Sequence, residues 1–275
     1  MIEYILGVSG SVLLVAWVAL LAGAVFWRPA STLDRPGWLA ARCRTGGPTG
    51  LALTASVVTL ATSAWSLALV TFSVVHHTGL ARDDPRVLAF FTGHRAPWLT
   101  SLAKALTWLG SSIVLWPVVV LAGLGLWRWR RHWLPAVLPA LALAGAWVGS
   151  LLIKGLVDRP RPPVADRLTV VHSWSYPSQH AAQALATWGM LALMLMAGRS
   201  ARTRVLLAAG AALIAFVVGL TRLYLGAHWM TDVLGGWAIA GVWDCLLIIC
   251  YLLAQQMAAP PPEQQTGTAV YRKAA

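Results

Sequence analysis

An all-α, polytopic bundle of about seven transmembrane helices follows from three features of this 275-residue sequence. Hydrophobic residues make up 58% of it and charged residues only 11%, whereas a soluble domain carries roughly 25% charged residues. Mean hydropathy is +0.68, so the few polar groups cannot cover the surface and lipid must be much of the solvent. The apolar residues also gather into long runs, most of them near the ~20 residues that carry a helix across ~30 Å of hydrocarbon. Together these features exclude an ordinary soluble enzyme, a disordered protein and a disulfide-stapled secreted domain. The length suits one membrane domain and leaves no room for a separate soluble one.

Seven runs carry this expectation, at 3–27, 51–75, 111–127, 133–153, 181–197, 205–220 and 233–254. The third, fifth and sixth are short and would need local thinning of the bilayer or snorkelling ends. Trp27, Trp127, Trp129, Trp133 and Trp229 fall at run ends, where an amphipathic ring favours the headgroup layer. The first run is too long for a signal-peptide core and has Arg28 after it rather than a cation before it, so it reads as a retained span. Residues 76–110 connect two runs. Within them, scattered apolar residues from Val87 to Leu106 lie among Arg86, His94, Arg95 and Lys104, the pattern of an interfacial amphipathic helix. Two readings are open for that helix: a lid over lipid entry, or a plain surface element. Cys43, Cys245 and Cys250 are odd in number and dispersed, so no disulfide framework is expected.

The charge is strongly basic, +12 with a pI near 10.8. Nucleic acid is not the expected partner, because the cations sit singly or in threes beside apolar runs and mark loops on one side of a membrane. One set of connections holds Arg28, Arg35, Arg42 and Arg44, then Arg128, Arg130 and Arg131, then Arg199, Arg202 and Arg204, and finally Arg272 and Lys273. That set contains twelve of the 21 Lys and Arg, with only Asp34 and Glu263 beside them. The opposite set collects Glu3, Asp83, Asp84, Asp158, Asp166 and Asp232. The positive-inside rule puts the first set in the cytoplasm, the amino terminus outside and the carboxyl terminus inside. Residues 1–255 are expected to be membrane-embedded, with 1–50 an added span and basic loop before a core at 51–255. Residues 256–275, opening on prolines 260–262, read as a disordered tail.

Two outside loops hold the chemistry. One runs from Lys154 to His180 and the other from Thr221 to Asp232. Ionisable groups at span ends are costly to bring toward the bilayer, about 2.5–3.5 kcal/mol each at its centre, so a cluster of them points to a site. Each Lys or Arg alone could be a headgroup anchor, and His228 with Asp232 could be a structural hydrogen bond. The set has a further meaning. Lys154, Arg161 and Arg222 supply fixed positive charge, and the Arg forks can hold phosphate oxygens in pairs. Ser178 offers a hydroxyl beside a helix start near His180, where free N–H groups favour an anion. His228 and Asp232 are four residues apart, so a helix would put them on one face. The carboxylate could then hold the Nδ1 proton and turn Nε2 outward as a nucleophile, with His180 as a general acid. Such a set is suited to phosphoryl transfer.

Lys154-(six residues)-Arg161-Pro162, Pro177-Ser178-Gln179-His180 and Thr221-Arg222-(five residues)-His228-(three residues)-Asp232 resemble the three ordered motifs of the type 2 phosphatidic acid phosphatase superfamily, KxxxxxxRP, PSGH and SRxxxxxHxxxD. The resemblance covers 154–232 in motif and the whole chain in helical layout. It implies a six-span core, to which 3–27 is an addition. It also implies a metal-independent membrane lipid phosphatase with no cofactor, acting on a phosphomonoester or pyrophosphate of a lipid such as polyprenyl diphosphate, phosphatidic acid or phosphatidylglycerol phosphate. By resemblance His228 forms a phosphohistidine, Asp232 orients it, and His180 is the acid and then the base for water. Lys154, Arg161, Ser178, the backbone of residue 179 and Arg222 hold the phosphate. Thr221 stands where Ser is usual and keeps the hydroxyl. Gln179 stands where Gly is usual and puts a long amide in the phosphate loop.

Few Lys among many Ala, Arg, Gly and Trp fit a GC-rich bacterial genome, so the expected location is a bacterial cytoplasmic (inner) membrane with the site on the extracytoplasmic side. Membrane lipids and a lipid phosphate are the expected partners, with neither nucleic acid nor metal. The alternative is a non-hydrolytic lipid-phosphate binding or transport protein reusing the pocket; a pure binder has no need of His228, Asp232 and His180 together. A vanadate-dependent haloperoxidase shares the anion-site motifs but is soluble. A proton-coupled transporter needs mid-span acids, and only Asp244 lies there.

Overall fold

A computed structural model describes residues 50–257. The expected span at 3–27, the basic loop after it and the tail beyond 257 therefore lie outside the described residues. Helices are α1 (Leu51–His76), α2 (Asp84–Gly93), α3 (Pro97–Leu106), α4 (Ser112–Arg130), α5 (Leu134–Val157), α6 (Gln179–Met196), α7 (Ala201–Tyr224) and α8 (Met230–Met257). Short 3₁₀ turns lie at Gly79–Arg82, Thr107–Gly110 and Val164–Asp166, and the described residues contain no strand. The protein is all-helical and polytopic.

Among the described residues, α1, α4, α5, α7 and α8 are long and apolar enough to cross a membrane. Helix α6 is not, and its place explains why. It packs against α5, α7 and α8, and buries Ala182, Gln183, Ala186, Thr187 and Met190 among them. A helix enclosed by other helices meets little lipid, so it tolerates Gln183, whose amide pairs with the Ser112 hydroxyl of α4 at 2.9 Å. The outer helices turn Trp65, Ile113, Leu121, Leu152 and Leu213 outward instead, as lipid-facing positions require. Small residues bring the helices close. A Cβ on Gly145 of α5 would overlap the Trp243 ring of α8, and that indole N–H donates to the Leu141 carbonyl at 2.8 Å.

Several boundaries differ from the sequence expectation. The sixth run lengthens to Ala201–Tyr224, taking Arg202, Arg204 and Arg222 into the helix. The Ser200 hydroxyl caps its start by accepting from the Thr203 N–H. Lys154 likewise lies in the last turn of α5 rather than in a loop. The single amphipathic helix expected within 76–110 is two helices. Gly93 ends α2 and Pro97 opens α3 at its first turn, where a missing N–H costs nothing. Both pack against α7, so this connection forms part of the site wall.

Candidate active site

The ends of α5, α6, α7 and α8 converge at the end of the bundle opposite the Arg128–Arg131 and Arg199–Arg204 turns. Those basic turns are joined to each other: Arg130 donates to the Ala197 carbonyl at 2.8 Å. At the site end, Asp158 closes α5 in a left-handed conformation (φ 46°), its N–H on the Lys154 carbonyl at 3.2 Å. Asp is one of the few residues that adopt this shape at modest cost. The turn releases the 159–178 loop over the site. The second loop bends at Gly226 (φ 63°), where a Cβ would overlap the Asp166 carbonyl oxygen; that close approach requires glycine. Arg95, entering from the α2–α3 connection, donates to the same Asp166 carbonyl at 2.6 Å and ties the two loops together.

His228 and Asp232 meet, though not on one helical face: His228 lies in the loop two residues before α8, and Asp232 in its first turn. His228 Nδ1 is 3.2 Å from Asp232 Oδ2. Nε2 is 3.1 Å from Arg161 Nη1. A guanidinium can only donate, so Nε2 carries the lone pair and Nδ1 the proton. His228 is 3% exposed. Burial first, and then the charges of Arg161, Arg222 and Lys154, push its pKa well below the usual value near 6.5. The ring is thus held neutral, with its basic nitrogen toward the cations.

Asp232 is fully buried and saturated. Its Oδ2 also accepts from the Trp229 N–H at 2.9 Å and from the Ser175 hydroxyl. Its Oδ1 accepts from Arg159 Nη1 at 2.6 Å. Arg159 Nη2 reaches Asp84 Oδ2 at 2.6 Å, and Thr231 donates to Asp84 through its N–H at 3.0 Å and its hydroxyl at 2.5 Å. Neither Arg159 nor Asp84 has a role assigned to it from the sequence. No sequence signal marks the pair: the burial of Asp84, and with it the need for a cation, appears only in the fold.

The phosphate-binding candidates gather around these histidines. Ser178, at the N-cap of α6, is fully buried with its Oγ unpartnered, while its N–H donates to the Asp232 carbonyl at 2.8 Å. Gln179 and His180 occupy the first turn of α6 and are partly exposed. Arg222 donates to the Thr107 hydroxyl at 2.8 Å and leaves its buried Nε without a partner. Two cations are more engaged than the sequence implied. Lys154 places its ammonium against the carbonyls of Trp174, Pro177 and Ser175 at 2.7, 2.8 and 3.1 Å, a cage that orders the loop before α6. Arg161 donates to the Ala227 and Ser173 carbonyls, each at 2.6 Å.

A buried, unpartnered serine hydroxyl, an unpartnered guanidinium nitrogen, three cations and a neutral histidine backed by a carboxylate are matched to an oxyanion. The PAP2 superfamily pattern matches residues 135–256, which contain every one of these residues. Phosphatidylglycerophosphatase B of Bacillus subtilis (strain 168) is 30% identical over 177 residues, spanning 62% of this chain and 84% of the relative. This chain belongs to the PAP2 superfamily. A solved PAP2 structure, the transmembrane phosphatidylglycerolphosphate phosphatase from Bacillus subtilis, superposes with a TM-score of 0.61 at 29% identity, covering 68% of this chain and 94% of its own. LpxE of Aquifex aeolicus aligns at 25% identity and a TM-score of 0.49 over 61% of this chain and 95% of its own. As a PAP2 protein it has an all-helical core with five candidate membrane spans among the described residues, and the first two relatives are both phosphatases by name.

Proposed function

We propose that this PAP2 protein is a metal-independent lipid phosphatase that works through a phosphohistidine at His228, on the extracytoplasmic face of a bacterial inner membrane. The observation that carries the proposal is the His228 ring, neutral, fixed by Asp232 and with its Nε2 lone pair facing the cations. An incoming phosphate would take up the Arg161 donors and free that lone pair. Nε2 then attacks phosphorus and the P–O bond to the lipid breaks. Burial and the Arg222, His228, Arg161 and Lys154 charges hold the His180 pKa well below 6.5 in the free protein. His180 therefore takes up a solvent proton once the bound phosphate dianion offsets those charges, and gives it to the departing oxygen. Asp232 and Arg159 hold the resulting phosphoimidazolium in place. His180, now basic, removes a proton from water, whose oxygen attacks phosphorus and returns His228 to its neutral form. Lys154, Arg161 and Arg222 with the Ser178 hydroxyl and the N–H of Gln179 oppose the charge that builds on the equatorial oxygens.

The substrate class is a phosphomonoester or terminal diphosphate on a membrane lipid. Support comes from the outward apolar helices beside the site and from the names of the two phosphatase relatives. Purified protein in detergent should release inorganic phosphate from at least one of polyprenyl diphosphate, phosphatidylglycerol phosphate and phosphatidic acid. Release should persist in EDTA, because the charge is supplied by side chains, and should vanish in His228→Ala. Full activity in that variant would overturn the mechanism, and strict dependence on a divalent ion would move the protein to another enzyme class.

A further inference from the structure

Beside the phosphate site, and separated from His228 by the Arg161 guanidinium, lies a cavity of about 550 Å³. Its wall includes Lys154, Arg161, Arg167 and His172, and no carboxylate side chain lines it. The charged side chains that line it are all cations, so its potential favours an anion. Leu151 and Gly155 of α5 also line it. Leu151 is 44% exposed, and Leu152 and Leu156 of the same helix are 65% and 82% exposed. The cavity thus has one wall on a helix long and apolar enough to cross a membrane and another on the Arg161 guanidinium.

Arg167 is set up for an anion. Its Nε donates to the Pro162 carbonyl at 2.6 Å, which fixes the plane of the guanidinium, and this is the one hydrogen bond of its side chain among the described residues. Both terminal nitrogens are left for a ligand. Arg167 is also close enough to Arg161 to help lower that guanidinium to about 10, after the larger effect of burial and against the pull of Asp232. An anion between the two arginines would relieve that repulsion. His172 adds a ring at the exposed rim.

We infer that this cavity binds a second anionic phosphoryl group of the substrate, placed between the scissile phosphate and the lipid tail, with Arg167 as its main ligand and His172 at its rim. The inference rests on the lipid phosphatase reading above. Two kinds of lipid have a phosphoryl group in that place: the inner phosphate of a prenyl diphosphate and the phosphodiester of phosphatidylglycerol phosphate. Phosphatidic acid has none. The cavity is thus a selectivity device that favours two-phosphoryl lipids over a simple phosphomonoester.

The test is a substrate panel of prenyl diphosphate, phosphatidylglycerol phosphate and phosphatidic acid in mixed micelles, run on the unmodified protein, on Arg167→Gln and on His172→Gln. A charge-assisted hydrogen bond lost from one ligand predicts a fall of roughly ten- to a hundredfold in kcat/KM for a two-phosphoryl lipid in Arg167→Gln, mostly through KM. The phosphatidic acid value should change less than about twofold, since it makes no such bond. The ratio of the two within one preparation is independent of how much variant folds. A fall in the ratio for either two-phosphoryl lipid supports the subsite and says which headgroup uses it. Ratios unchanged in both variants overturn it, as does a parallel fall for all three lipids. Absence of phosphate release from every lipid by the unmodified protein would overturn the phosphatase reading instead.

Discussion

Arg159 Nη1 lies 2.6 Å from Asp232 Oδ1, while the other oxygen of that carboxylate faces His228 Nδ1 at 3.2 Å. The carboxylate is thereby held between a permanent cation and the ring it orients. The same guanidinium reaches Asp84 of α2 at 2.6 Å, so a helix outside the three motifs braces the catalytic pair.

Arg159 and Asp84 are expected to act as positioning residues. Asp84→Asn keeps the shape but weakens the brace, and should lower kcat while leaving KM for the lipid within about twofold. Arg159→Ala strands two buried carboxylates and should cost about 3–5 kcal/mol of stability, read as a fall in the thermal unfolding midpoint. Arg159→Lys should restore part of the stability and less of kcat, because an ammonium cannot span both carboxylates in one plane. Equal losses of kcat and stability across all three variants would make the network structural only.

The pH dependence follows from the His228 ring. Its pKa is lowered first by burial and then by the Arg161, Arg222 and Lys154 charges, and the nucleophile must be neutral. The acid limb of kcat/KM, which reports the free enzyme, is therefore expected below the usual value near 6.5. Stability moves in the same sense. The unfolded chain takes up a proton near 6.5 that the folded ring resists, so this contribution is complete above that pH and is lost as pH falls toward the folded pKa. Unfolding midpoints of the parent and His228→Asn, measured from pH 8 to 5, should converge as pH falls. A limb centred above 6.5 would contradict the neutral-ring assignment.

Orientation is open to direct labelling. In a background lacking Cys43, a cysteine placed at Asp166, on the site-end loop, should react in intact cells with a membrane-impermeant thiol reagent. One at Gly198, between α6 and α7 beside the basic turns, should react only after permeabilisation. The reverse pattern would place the site in the cytoplasm.

Much of the core was legible because its signals are local. Length and hydropathy mark a helix that meets lipid, so α1, α4, α5 and α8 come out of the sequence with small errors at their ends. The motif residues were legible through fixed spacing, and Lys154, Arg161, Ser178, His180, Arg222, His228 and Asp232 do gather at one end of the bundle. What was not legible depends on packing across the chain. Asp84 and Arg159 are 75 residues apart, and no periodicity links them. The Lys154 cage depends on carbonyls some twenty residues onward. The Arg167 cavity appears only when the loop folds back on α5. Helix α6 was recognised as a span but reads as weakly apolar, since its solvent is other helices.

The central claim is the covalent step at His228. The most direct measurement is to quench turnover of a radiolabelled lipid phosphate in alkali and locate the label by peptide mapping. An acid-labile, alkali-stable phosphoryl group on Nε2 of His228 is expected, absent from His228→Asn. It should accumulate in His180→Asn when the leaving group is good enough to depart without a proton, because attack by water is then the slow step. Turnover with no protein-bound phosphoryl group, or with the label on another residue, would contradict the account.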